Sequence, residues 1–174
     1  MTVVPDGRPC GCGKRGCLEA YASKTGLAYE FKQAIVLERK ASVLPALTEE
    51  SGLDNVKSSV LRRAWDDKDE VTRTALKRAA RYLGIGAGNL ITLFAPTTIV
   101  LGGGVMDALG EELLPLVRES AQEHAFPAAS FRFTTIELAA LGDDAVALGA
   151  VAYAQSCQEQ EAPAAGRAQK RAAR

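Results

Sequence analysis

An α/β fold is predicted by the second half of this 174-residue chain. Three observations carry the prediction. "TTIVL" (97–101) is a β-branched run with no polar alternation, the pattern of a strand buried on both faces. "GGG" (102–104) follows it at once, and apolar residues at helical spacing lie on either side. "FRFTTIEL" (131–138) supplies a second strand, so the order is helix, strand, helix, strand, helix. Two strands make a small sheet, because sheets average about five or six. The sheet is therefore expected to be incomplete within this chain.

Residues 1–17, rich in Gly, Pro and Cys, read as a loop. From Leu18 to about Arg39 the pattern is helical: Leu27, Phe31 and Ile35 fall four apart, and Gly26 is a candidate break. Pro45 and Gly52 make 40–54 a loop with room for one short helical turn. A long helix is then expected from about Asn55 to Leu93, charged in its first half, apolar in its second, and stopped by Pro96. Gly84, Gly86 and Gly88 within it follow a helix rather than a strand, so they read as close helix packing, not as a dinucleotide fingerprint. After the first strand a helix is expected near Asp107, capped by that residue, with Val105, Leu109, Leu113 and Val117 as its apolar stripe. Gly142 turns the chain, and Asp143 or Asp144 caps a last helix, whose small residues suit an interior. One domain is expected over 1–157, with a disordered tail over 158–174.

The totals exclude several classes of function. Apolar residues make up 47%, charged residues 24%, and the formal net charge is zero. Nothing there points to nucleic acid or to an anionic membrane surface. No apolar run approaches the roughly 20 residues that span a bilayer. "MTVVPDGRP" lacks the layout of a signal peptide. The expectation is a cytoplasmic chain whose thiols stay reduced.

That makes the cysteines informative. Cys10, Cys12 and Cys17 follow the spacing C-x-C-x4-C among three glycines. Close thiols in a reducing compartment suit a soft metal, zinc most often. A redox pair is the weaker reading, because C-x-C is not C-x-x-C. Zinc takes four ligands and the cluster supplies three. His124 and Cys157 are the remaining candidates in the chain, and each reads better as an ordinary helix residue.

"CGCGKRGCLEAYAS" resembles the C-x-C-G-x-x-G-C-x-E motif of the ROK family of sugar kinases and sugar-responsive repressors. "PDGRP", "LGIGAGNLITLFAPTTIVLGGGV" and "LGDDAVALGAVAYA" are similar to that family as well. The resemblance implies the C-terminal lobe of an actin-like (ribonuclease H-like) ATPase fold. It implies a structural zinc on Cys10, Cys12 and Cys17, with a histidine from a Glu-x-Gly-His segment that would precede Met1. It implies that Glu19 binds sugar hydroxyls and that Gly102, Gly103 and Gly104 lie against the adenosine of ATP. The implied function is phosphorylation of glucose or a related hexose with magnesium and ATP, by a homodimer in full-length form. The family's Asp-x-Gly-Gly-Thr phosphate loop and catalytic Asp are not in this sequence, so the chain alone is expected to be inactive and to need an N-terminal lobe. The aspartates of "RAWDD" and "LGDD" read as solvated helix and helix cap and are not promoted to that role. The alternative is the sugar-sensing lobe of a ROK repressor, the one case in which nucleic acid would be a partner.

Overall fold

Ser23 breaks the first helical stretch. In the computed structural model, which describes residues 1–48 and 51–161, α1 (Glu19–Ala22) ends there and α2 (Lys24–Phe31) begins. Ser23 is extended, and its hydroxyl accepts the Gly26 N–H at 3.1 Å, an N-cap for α2. The sequence pointed to Gly26 as the break. Instead Gly26 is buried inside α2, where a Cβ would stand 2.8 Å from the Ala20 carbonyl oxygen. A π-helical turn, Lys32–Leu37, continues α2. Leu27 and Phe31 are buried as expected, with Ile35 packed at the core's edge. α3 (Leu44–Thr48) is the short turn expected in the 40–54 loop.

The long helix expected from 55 to 93 is two helices, α4 (Ser58–Asp66) and α5 (Glu70–Phe94). Lys68 takes a left-handed conformation between them. Asp69 then restarts the chain as the N-cap of α5. Its carboxylate accepts the Thr72 hydroxyl at 2.7 Å, the Thr72 N–H at 2.8 Å, the Val43 N–H at 3.0 Å and the Ser42 hydroxyl at 3.1 Å. Burial pushes this carboxyl up, but those four donors outweigh it and hold it below the usual carboxylate range. The folded pKa thus lies below the unfolded one. The stability it contributes is full above about pH 4, the unfolded value, and is lost as pH falls through the folded value. Asp69→Ala is expected to cost about 2 kcal/mol at pH 7 by losing the cap and leaving buried donors unpaired. Urea unfolding of both proteins near neutrality and near pH 3 tests this: the difference should shrink in acid, and a constant difference would refute the electrostatic account.

β1 (Thr98–Leu101) follows the left-handed C-cap Ala95 and Pro96. α6 (Gly104–His124) begins three residues earlier than expected, with Gly103 as N-cap and Asp107 in the first turn making no side-chain cap. A 3-10 turn (Ala128–Phe133) leads into β2 (Thr135–Leu138), shorter than the 131–138 expected. β1 and β2 pair in parallel, Thr98 with Thr135 through Leu101 with Leu138, and α6 makes the crossover. These two form the only sheet among the described residues. Leu101 and Ile136 are buried beneath α6, whereas Thr98, Val100, Thr135 and Glu137 are exposed. The strand expected to be buried on both faces is therefore covered on one, because no element within residues 1–139 lies over the other. The Arg118 guanidinium donates to the Ile136 carbonyl at 3.0 and 2.6 Å and so satisfies part of the outer edge of β2.

The core lies where α5 crosses α6. Leu76, Ile91, Leu109, Val117 and Ile136 are almost fully buried, each contributing roughly 1.5–3 kcal/mol. Gly84 lets the two helices touch: a Cβ there would stand 2.5 Å from the Ser120 Cβ and 2.6 Å from the Val117 carbonyl oxygen. The Ser120 hydroxyl donates across the contact to the Arg81 carbonyl at 2.9 Å. Gly88 faces Ala121 in the same way, and Gly86 faces Leu18, so all three glycines serve packing as expected.

The chain divides into two units, 1–139 and 140–174. The second holds a 3-10 turn (Gly142–Asp144) and α7 (Ala145–Glu161). Val146, Leu148, Val151 and Tyr153 of α7 are exposed, not interior as expected, since a single helix has nothing within its own unit to cover it. α7 includes residues 158–161; residues 162–174 of the expected tail lie outside the described residues. No helix among the described residues is long and apolar enough to cross a membrane.

Candidate metal centre and ligand loops

The loop before α1 is closed by backbone. Short antiparallel bridges join Thr2 to Cys17 and Pro9 to Arg15. The Gly16 carbonyl accepts both the Val3 and the Val4 N–H, at 2.8 and 3.1 Å. Cys10 N–H donates to the Lys14 carbonyl at 2.9 Å, and Gly13 N–H to the Cys10 carbonyl at 3.0 Å, which folds 10–14 into a tight turn. Gly16 has φ of 71°, and a Cβ there would fall 1.6 Å from the Val4 carbonyl oxygen, so no other residue fits.

This folding brings the Sγ atoms of Cys10, Cys12 and Cys17 within 4.8 Å of one another. All four cysteines of the chain are unbridged. Zinc–sulfur bonds of about 2.3 Å in a tetrahedron put neighbouring sulfurs about 3.8 Å apart. The Cys12 and Cys17 sulfurs are 3.6 Å apart, so the group fits a soft tetrahedral ion. Cys12 is exposed, and the Lys14 backbone N–H, then the Cys10 and Cys17 thiols, hold its thiol below the ordinary value. Cys17 is buried; its hydrogen bond with Cys12 and its burial push it up to about 11. Metal binding must therefore displace at least the Cys17 proton. His124 does not join the cluster: it ends α6, and its Nδ1 lies 2.8 Å from the Ser120 carbonyl.

Glu19 opens α1 and is exposed, its Oε2 3.6 Å from the Cys10 sulfur. The carboxylate thus stands at the rim of the thiol cluster, open to a ligand. The glycine loop sits elsewhere, after β1. Gly103 has φ of 103° and ψ of 157°, a backbone only glycine adopts readily, and a Cβ there would meet nothing within 4 Å. Gly102 backs onto Ala139, and Gly104 onto the Ser58 hydroxyl with the Lys24 ammonium close by. Of these three, Gly103 alone combines a positive-φ backbone with open space beside it. The α6 N-terminus there carries the positive end of the helix dipole. Glu19 opens α1 and Lys24 opens α2, so only Ala20, Tyr21, Ala22 and Ser23 lie between the thiol-side acid and the glycine-side lysine. A cleft of about 350 Å³ between the π-helical turn and α5 is lined by neither loop.

Sequence reasoning missed Arg8, whose guanidinium is sandwiched between the Tyr21 and Tyr29 rings and pairs with Glu30. It also missed Lys24 and Ser58. No local signal marks these, because their partners lie on other helices.

The sequence profile of the ROK family matches residues 1–157. A glucokinase of Halalkalibacterium halodurans is 36% identical over 154 residues, which cover 86% of this chain and 44% of that protein. A xylose repressor of Caldicellulosiruptor bescii is 32% identical over 143 residues, covering 82% of this chain and 34% of that one. A solved structure of a ROK family glucokinase from Streptomyces griseus, in complex with glucose and AMPPNP, superposes with a TM-score of 0.69 at 33% identity and covers 83% of this chain and 46% of that chain. The chain thus spans less than half the length of these relatives. With the family profile running through the cysteine loop, the glycine loop and both strands, the chain belongs to the ROK family.

Proposed function

We propose that this chain is the C-terminal lobe of an ATP-dependent hexose kinase of the glucokinase type. The observation that carries the reading is the exposed Glu19 carboxylate set beside a three-thiol loop, in a chain similar to glucokinases. A zinc ion on Cys10, Cys12 and Cys17 would cross-link the loop and supply structure, not chemistry at the sugar. Glu19 would accept hydrogen bonds from sugar hydroxyls, which a carboxylate does strongly. Gly102, Gly103 and Gly104 would let adenosine approach the end of β1. The catalytic base and the phosphate-holding loop would come from an N-terminal lobe this chain does not contain, with magnesium on the phosphates of ATP. That lobe would also extend the two-stranded sheet. The assembled protein would be cytoplasmic and homodimeric.

The repressor reading has its own observation, the likeness to a xylose repressor over most of this chain. Two measurements decide. The purified, reduced chain should hold one zinc; no metal with a Cys12–Cys17 disulfide would defeat the metal assignment. A coupled assay with glucose and MgATP should give only the blank rate for the chain alone, and turnover once the N-terminal lobe of a family glucokinase is joined to it. A joined protein that binds sugar without turnover would favour the repressor.

A further inference from the structure

We propose that Arg8 is a positioning residue that holds the cysteine loop against α1, α2 and α5, so that the metal site and Glu19 are arranged before an ion binds. This rests on the metal reading above and names the part of the chain that prepares the site.

Arg8 touches both ends of the cysteine segment. It stands two residues before Cys10, and its carbonyl accepts the N–H of Gly16, next to Cys17, at 2.8 Å. Its own N–H donates to the Tyr21 hydroxyl at 2.9 Å. Its guanidinium lies 4.7 Å from the Tyr21 ring centre and 4.5 Å from that of Tyr29. Arg8 and Glu30 are 16% and 14% exposed at the side chain, so their ion pair is largely desolvated. The Glu30 Oε2 accepts a second guanidinium, that of Arg78 on α5, at 3.1 Å. Tyr21 in turn packs at a tilt against Tyr82 of α5, with centroids 4.3 Å apart. The Arg8 Nη1 is buried with no hydrogen-bond partner, and the guanidinium as a whole lies over the two ring faces, where a cation is attracted by the ring quadrupoles.

The consequence for the site is geometric. Tyr21 lies two residues beyond Glu19 on the four-residue α1. A helix that short has no stability of its own, so its orientation is set by what grips it. Arg8 grips it through Tyr21, and Glu19 is thereby held 3.6 Å from Cys10. Lysine cannot replace this contact, because an ammonium neither stacks flat between two rings nor presents a fork to Glu30.

The test uses the whole chain in four forms: wild type, Arg8→Met, Arg8→Lys and Arg62→Met. Arg62 is the control. It also pairs with two carboxylates, Asp66 and Glu112, at a more exposed position, and ties α4 to α6 with no part in the loop. Zinc transfer to a chromogenic chelator and alkylation of Cys17 in the metal-free, reduced chain are timed, and melting temperatures are recorded. Arg8→Met is expected to speed zinc transfer by about 10–100-fold, the usual cost of losing a group that supports metal ligands. It should also expose Cys17 to alkylation, and Arg8→Lys should behave closer to Met than to wild type. Arg62→Met should lower the melting temperature and leave both rates unchanged. Rates in Arg8→Met equal to wild type, or rates that simply follow melting temperature across all variants, would overturn the proposal. Should Arg8→Met fail to fold, Tyr29→Leu removes one ring from a half-exposed position and is read in the same way. If the wild type takes up no zinc, the metal reading fails alone, and Cys17 alkylation still decides the role of Arg8.

Discussion

Replacing Gly16 by alanine is expected to abolish zinc retention and to open the loop, while the same change at Gly13 leaves the metal in place. Both glycines have positive φ, 71° and 83°. A left-handed alanine costs roughly 1–2 kcal/mol at either position. They differ in their surroundings. A Cβ on Gly13 meets nothing within 4 Å, but on Gly16 it falls 1.6 Å from the Val4 carbonyl oxygen. Backbone cannot yield by that much in place. The Val3 and Val4 hydrogen bonds to Gly16 must break, at about 0.5–1.5 kcal/mol each, and Cys17 moves with them. A complete structural zinc site is worth roughly 10–16 kcal/mol in small peptides, and even with three thiolates losing the ion should outweigh the direct strain. Zinc per chain and melting temperature, measured for both variants, check this. Gly16→Ala with a full equivalent of zinc would mean that the segment before Gly16 does not hold the loop.

Glu19→Ala, in a protein joined to the N-terminal lobe of a family glucokinase, is expected to lower kcat/KM for the sugar and spare nucleotide binding. A lost hydrogen bond to a charged group costs about 1.5–3 kcal/mol, which is roughly tenfold to a hundredfold. Because Glu19 also faces the Cys10 sulfur, zinc content must be read beside the kinetics. Equal losses for both substrates together with lost zinc would make Glu19 a support of the loop and not a sugar contact. Gly103→Val in the same protein should raise KM for ATP and leave the sugar alone, since a side chain there would enter the open space beside the loop. At φ of 103° the valine is strained whether or not a nucleotide binds, so the melting temperature is the companion reading. A lower melting temperature with KM for ATP unchanged would assign the glycine to the turn alone.

Much of the chain could be read from local pattern. The α6 stripe of Leu109, Leu113 and Val117 is buried because helical periodicity directly encodes which face is covered. The three cysteines meet because the glycine-rich segment that carries them folds on itself through short-range backbone hydrogen bonds, Cys10 with Lys14 and Gly13 with Cys10. The strand before Gly102 and the close helix packing at Gly84 were legible as well. The strand follows from its own run of residues, and the glycine spacing marks a helix face that packs closely, although its partners Val117 and Ser120 lie on α6.

Local pattern failed where a distant group decided the outcome. The break between α4 and α5 was hidden because the partners that make Asp69 a cap include Ser42 and Val43, more than twenty residues upstream. Val100 was assigned to the interior because a β-branched run shows that a strand can be buried, not that anything covers it. The small residues of α7 carried the same ambiguity. Arg8 was invisible because its rings, its carboxylate and its second-hand link to α5 come from three helices that only folding brings together. The sequence by itself determined family, element types and the thiol cluster, since spacing and periodicity are local quantities. Only the tertiary structure decided which glycine of the 102–104 loop borders open space and which arginine grips the cysteine loop, because those depend on groups that are distant along the chain and adjacent in space.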